Sequence, residues 1–250
     1  MKSFFFDYVF KLLRKILNLE KYFVISKGSV PIILSCPHGG FLKPKNIPDK
    51  LKGIKIADKN KFLISKRIIQ VLFEKFGIQI YYILSKIHRS KIDFNRPPRA
   101  FAAFNHSSSE AKQIHHKYHE QIQKFYQECV DKFNKCLFID LHGFTKPSED
   151  YPDIIFGNLF GKTLKIQNTK KFWGFNEMVD SLSKKFSIDD GLGITNFNLS
   201  YSGGYITHQF YEKRLVNAYQ LEVAKQIREI RSLTNIFIKS FISAIINCLS

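Results

Sequence analysis

The sequence predicts an α/β fold. Three observations carry this: short apolar runs bounded by turn residues, longer segments with apolar residues at helical spacing, and alternation of the two along 250 residues. The strands read as continuous apolar runs, as they do when helices cover both faces of a sheet. No Pro/Gly/Ser-rich linker or shift in composition divides the chain, so residues 1–250 are expected to form one domain around one core.

The elements follow in order. Residues about 3–18 carry an apolar run that Asp7, Lys11, Arg14 and Lys15 interrupt, and no small-residue cleavage site follows; this predicts an amphipathic helix in place of a targeting signal. PIILSC, between Gly28 and Pro37, predicts a buried strand that delivers His38 at its C-terminal end, where α/β sheets place their ligands. Gly39 and Gly40 follow, permitting φ > 0 and a close approach to the imidazole. Residues about 57–76 place Phe62, Ile68, Ile69, Leu72, Phe73 and Phe76 at helical spacing until Gly77 stops the helix, and the strand IQIYYIL comes next. HRSKIDFNRPPR predicts an extended stretch ended by Pro97 and Pro98. A helix over 109–134 leads into LFIDLHG, a second buried strand. DIIFGN and YITHQF extend the strands around a helix near 176–186, and a further helix is expected through Glu222. The chain closes on an apolar helix over about 233–249, shorter than the roughly 20 residues a membrane span needs and expected to be buried.

The net charge of +18, from 39 Lys+Arg against 21 Asp+Glu, sets up a positive field that concentrates anions. An acidic small molecule, nucleic acid and a lipid surface all answer to that sign. The absence of a dense arginine stripe or nucleic-acid motif argues against nucleic acid, whereas the two terminal segments, the first of them basic and amphipathic, leave contact with a membrane surface open. Cys36, Cys129, Cys136 and Cys248 form no CxxC pair, which predicts free thiols in a reducing, cytoplasmic compartment.

Two strand-end histidines, His38 and His142 of DLHG, together favour a metal centre, because imidazoles are zinc ligands and one strand-end histidine alone is commonly structural. A two-histidine zinc site needs a further protein ligand. Asp58 is the preferred candidate, with helix capping as its alternative; Asp140, on the same strand face as His142, is the second candidate and can instead orient that imidazole. In HRSKIDFNRPPR, Arg89 and Arg96 supply forks that suit a substrate carboxylate and Asn95 completes the cradle, unless the segment is a charged edge with Asp93 paired to an arginine. Glu222 can shuttle a proton between water and a leaving nitrogen, or serve as a helix-surface partner of Lys225 or Gln226. His115 and His119 lie one helical turn apart, yet without the HExxH glutamate they are expected on a solvated or supporting helix face.

On PIILSCPHGG, the helix expected to open at Asp58, HRSKIDFNRPPR, DLHG, DIIFGNLFGKT, GGYITHQFY and NAYQLEVAKQIR, the chain resembles the N-formylglutamate amidohydrolase family from about residue 28 to 228, and more distantly the aspartoacylases and zinc carboxypeptidases. The resemblance implies a three-layer α/β/α fold with a mixed central sheet, of the phosphorylase/hydrolase-like, zinc exopeptidase-like kind, and one Zn²⁺ ion with His38 and His142 as ligands. It implies further that Arg89 polarises the scissile carbonyl, that Asn95 and Arg96 hold the substrate α-carboxylate, and that Glu222 acts as general base and then acid. The carboxypeptidase His-x-x-Glu pair is missing because position 41 is Phe41, so the third ligand comes from elsewhere in the chain, here assigned to Asp58. The expected activity is hydrolysis of a linear amide in an N-acyl amino acid; a peptidase acting on polypeptide tails and a noncatalytic anion or nucleic-acid binder are the alternatives.

Overall fold

A computed structural model of the chain describes residues 20–169 and 171–250. The amphipathic helix expected over about 3–18 lies outside the described residues. In chain order the elements are β1 (Phe23–Ser26), β2 (Ile32–Cys36), α1 (Lys61–Phe76), β3 (Tyr81–Ser85), α2 (Ser109–Phe133), β4 (Cys136–Phe144) and β5 (Ile154–Gly157). They continue with α3 (Phe175–Ser183), β6 (Ile188–Asp189), α4 (Tyr205–His208), β7 (Val216–Ala224), α5 (Lys225–Glu229) and α6 (Arg231–Leu249).

The seven strands form one mixed sheet in the order β1-β3-β2-β4-β7-β5-β6. The central β3, β2, β4 and β7 run parallel, β1 pairs antiparallel with β3, and β5 pairs antiparallel with β7 but parallel with β6. Strand residues alternate between two separate cores. Ile32, Leu34, Leu137, Ile139 and Leu141 pack with α1, α3 and α6 on one face, and Ile33, Phe138 and Ala218 pack with α2 on the other. This is the three-layer α/β/α arrangement that the family resemblance implied, with a core on each side of the sheet as the apolar strands predicted. By length and composition alone α6 would pass for a membrane span. Its Phe237, Phe241 and Ile245 side instead belongs to the core beneath the sheet.

Three expectations are corrected. Glu222 sits in strand β7, all nine residues of which are buried, and the helix begins only at Lys225. The reason is visible in the segment: Tyr219, Leu221 and Val223 alternate with Gln220 and Glu222, a period of two suited to a strand between two others. YITHQF is a short helix, α4, because its backbone is held by Asn95, whose side-chain carbonyl accepts the Ile206 amide N–H at 3.0 Å. HRSKIDFNRPPR is a chain of turns instead of an extended stretch. Asp93 accepts the Asn95 backbone N–H at 3.0 Å, a local Asx turn that competes with strand pairing.

Topology brings the chemistry to one edge. β2, β4 and β7 are parallel neighbours, so their C-terminal ends emerge together, and in register Asp140 pairs with Gln220 and His142 with Glu222.

Candidate metal centre

His38 leaves the end of β2 in a turn wedged between two elements. A Cβ at Gly39 would lie 2.4 Å from the Phe62 backbone nitrogen at the start of α1, and one at Gly40 would lie 2.3 Å from the Lys86 carbonyl carbon after β3. Close backbone approach, and not a positive φ, is therefore what demands glycine at both positions. The imidazole is buried, with Nε2 2.7 Å from Asp93 Oδ1. Asp93 is itself held by Arg89 Nε at 2.9 Å and Lys50 Nζ at 3.3 Å. Burial would raise the Asp93 carboxyl pKa, but His38, Arg89 and Lys50 outweigh it and hold the group well below the ordinary carboxylate range.

His142 mirrors this arrangement from β4. Its Nε2 is 2.8 Å from Asp140 Oδ2, so Asp140 orients the ring and is not in the ligand trio. Burial pushes the His142 pKa down, yet Asp140, Glu222 and Asp58 more than offset that and raise it to about 9. The two rings stand 4.8 Å apart and nearly perpendicular, at 80°.

With both Nε2 atoms committed to carboxylates, both Nδ1 atoms turn towards Asp58. Asp58 Oδ2 lies 3.7 Å from His38 Nδ1 and 3.8 Å from His142 Nδ1. Asp58 does not begin α1: the helix starts at Lys61 behind Asn60 at the N-cap, and Asp58 stands in the preceding loop. That loop is fixed by the Asp58 N–H donating to the His38 carbonyl at 3.0 Å and by the Gly143 N–H donating to Asp58 Oδ2 at 2.9 Å. Burial raises the Asp58 pKa, but the two imidazoles and Arg89 depress it, and the carboxylate is the favoured form.

This donor set fits a divalent ion. Two imidazole nitrogens and one carboxylate oxygen lie within 4.8 Å of one another, all three residues are buried, and His38 Nδ1 has no hydrogen-bond partner. A tetrahedron with bonds of about 2.1 Å has edges of roughly 3.4 Å, slightly shorter than the observed nitrogen-to-oxygen separations. A buried, unpartnered imidazole nitrogen facing a carboxylate at these distances needs a cation or a proton between them.

A cleft of about 750 Å³ opens beside the trio, lined by Asp58, Arg89, Arg96, His142, Tyr201 and Glu222 among others. Glu222 is buried; its Oε1 accepts from Gln220 Nε2 at 2.7 Å, whereas Oε2 has no partner. Burial raises its pKa, and nearby Asp58 adds to that. Arg89 is tied to Asp93 and lies 3.6 Å from Asp58 Oδ1 through Nη1. Arg96 donates one bond to the Asn95 carbonyl at 3.3 Å. The Asn95 side chain is already committed, donating to Gln220 at 3.0 Å and accepting from Ile206, so its amide shapes the cleft wall.

All seven candidate site residues therefore meet at one end of the sheet. Sequence reasoning missed Asp93 as the carboxylate behind His38, and Gln220 and Arg228 altogether. Asp93 lies in a segment already marked by its charge, and Gln220 shares the period-two face of Glu222; Arg228 gave no signal. His115 and His119 are buried rather than solvated and lie apart from the trio, with His115 Nε2 3.0 Å from the Arg96 carbonyl and His119 Nδ1 2.7 Å from Gln209.

A family model described as N-formylglutamate amidohydrolase matches residues 104–227, a span that contains His142 and Glu222 but not His38 or Asp58. Among solved structures, the chain is similar to an N-formylglutamate amidohydrolase from Ralstonia eutropha, with a TM-score of 0.66 and 13% identity over 91% of this chain and 97% of that one. It is likewise similar to a gene product of Agrobacterium tumefaciens, with a TM-score of 0.62 and 13% identity over 91% and 94% of the respective chains. No curated protein matches the sequence. In sequence over residues 104–227 and in fold over most of its length, this chain is similar to the N-formylglutamate amidohydrolases.

Proposed function

We propose that the protein is a zinc-dependent hydrolase that cleaves the linear amide bond of an N-acyl, N-formylglutamate-like amino acid. The observation that carries this reading is the convergence of His38 Nδ1, His142 Nδ1 and Asp58 Oδ2, each imidazole backed by a buried carboxylate, beside a cleft holding Glu222. In this reading His38, Asp58 and His142 would hold one Zn²⁺, which when bound would supply Lewis acidity for water and an amide carbonyl.

The chain's own residues do the rest. Arg96 reaches into the cleft with guanidinium donors beyond the one spent on the Asn95 carbonyl and anchors the anionic end of the substrate. Arg89, braced by Asp93, faces the negative charge that develops on the scissile carbonyl oxygen. Glu222 Oε2 takes a proton from the attacking water as the C–O bond forms, then returns it to the nitrogen as the C–N bond breaks, giving a carboxylic acid and an amine. Gln220 holds the other Glu222 oxygen and so aims Oε2. The raised pKa of Glu222 suits a group that must both accept and give a proton near neutrality.

Incubation of zinc-loaded protein with N-formyl, N-acetyl and N-succinyl derivatives of glutamate, aspartate and neutral amino acids tests the assignment. Turnover is expected on the acidic N-acyl amino acids in preference to peptides. Cleavage confined to peptide C-termini would move the assignment to a carboxypeptidase, and no turnover of any amide would remove it.

A further inference from the structure

Arg228, at the end of the short α5, is a buried cation without a carboxylate partner in any ion pair among the described residues. Its three kinds of nitrogen each donate to a backbone carbonyl: Nε to Val223 at 3.0 Å, Nη1 to Lys59 at 2.9 Å, and Nη2 to Phe144 at 2.9 Å. Val223 follows Glu222, Lys59 follows Asp58, and Phe144 lies two residues beyond His142. The loop before α1 returns a bond, Asn60 Nδ2 donating to the Arg228 carbonyl at 2.8 Å. The Arg228 side chain packs against Gly143, where an added Cβ would lie 2.5 Å from Nε and 2.8 Å from Cζ, and the Gly143 N–H is the donor to Asp58 Oδ2.

We propose that Arg228 is a positioning residue: its planar fork ties the segments carrying Asp58, His142 and Glu222 to one another and so sets the spacing of the metal-holding trio. Only a guanidinium has three donor directions in one rigid plane; a lysine ammonium of similar length cannot span three carbonyls on fixed strands. Gly143 is required because any side chain there would displace the fork. The inference rests on the zinc reading of the trio, but it concerns how the trio is held, not the reaction.

The test is zinc affinity by chelator competition on the full chain, comparing the wild type with Arg228→Lys, Arg228→Met and Gly143→Ala, and with far-ultraviolet circular dichroism as the check on folding. Loss of outer-shell support typically weakens metal affinity about 10–100-fold. That range is expected for Arg228→Met and Gly143→Ala, with Arg228→Lys recovering little of it despite restoring the charge. Gly143→Ala keeps Arg228 and adds a single methyl, so it reads the fork's position even if the Arg228 variants do not fold. Folded variants that melt earlier yet bind zinc within about twofold of the wild type would reduce Arg228 to a structural cation and overturn the proposal. A wild type that binds no zinc would overturn the zinc reading, and this inference with it.

Discussion

At the scale of single residues, the site works by pairing. His38 and His142 each give one nitrogen to a buried carboxylate, which fixes the tautomer and leaves the other nitrogen facing Asp58. Among the described residues that line the cleft, Glu222 keeps a buried oxygen unpaired, and on it the proposed proton transfer depends. Glu222→Gln should lower kcat by about 10²–10⁴ while zinc content stays at the wild-type level; near-normal turnover would take the base role away from it. Because burial raises its pKa, the acid limb of the kcat/KM profile should lie above the ~4.3 of an ordinary glutamate. Activity then requires the deprotonated form and falls as pH drops through that raised value, and the residual activity of the Gln variant should lack this limb. His38 and His142 were legible in the sequence because each follows an apolar run and stands directly before glycine. Asp93 was not legible as an orienting group, because 55 residues separate it from His38 and only the fold brings the two to hydrogen-bond distance.

At the scale of elements, α2 shows burial overriding a polar-looking pattern. HHKYH read as a solvated or supporting face, and burial rules out the first: His115 and His119 are packed against Phe94, Phe104 and Tyr205. Burial is the main cause of their low pKa values, about 4 for His115 and about 3 for His119. In the unfolded chain both titrate near ~6.5, so between that pH and their folded values the unfolded state binds more protons than the native one. Their contribution to stability is therefore complete above pH ~6.5 and is lost as pH falls, at up to roughly 1.4 kcal/mol per pH unit for each imidazole. Urea unfolding at pH 6.5 and pH 5 should show this loss, and the double variant His115→Gln, His119→Gln should show a shallower one; equal slopes would contradict the burial argument. Strands β2, β3 and β4 and helices α1, α2 and α6 were legible to within a few residues, since each has length and one clear period. β7 was not, because Leu221, Val223 and Ile227 also satisfy a helical spacing and only the neighbouring strands decide between the two.

At the scale of the whole molecule, the order of the sheet is what turns scattered motifs into a site. Nothing local in the sequence says that β7, the last strand, inserts between β4 and β5, yet that insertion sets Glu222 beside His142. The layer architecture could be read from alternating apolar runs, whereas the strand order could not, because it is fixed by pairing between segments far apart in the chain. The +18 charge supplies a general attraction for anions, and under the proposed function the arginines of the cleft would give that attraction a place to act. The central claim remains the grip of two imidazoles and one carboxylate on a single ion. Metal analysis of the purified chain and of its His38→Ala and His142→Ala variants tests it most directly. One zinc per wild-type chain, lost in both folded variants, is the predicted result; a wild type without zinc, or variants that retain it in full, would contradict the account.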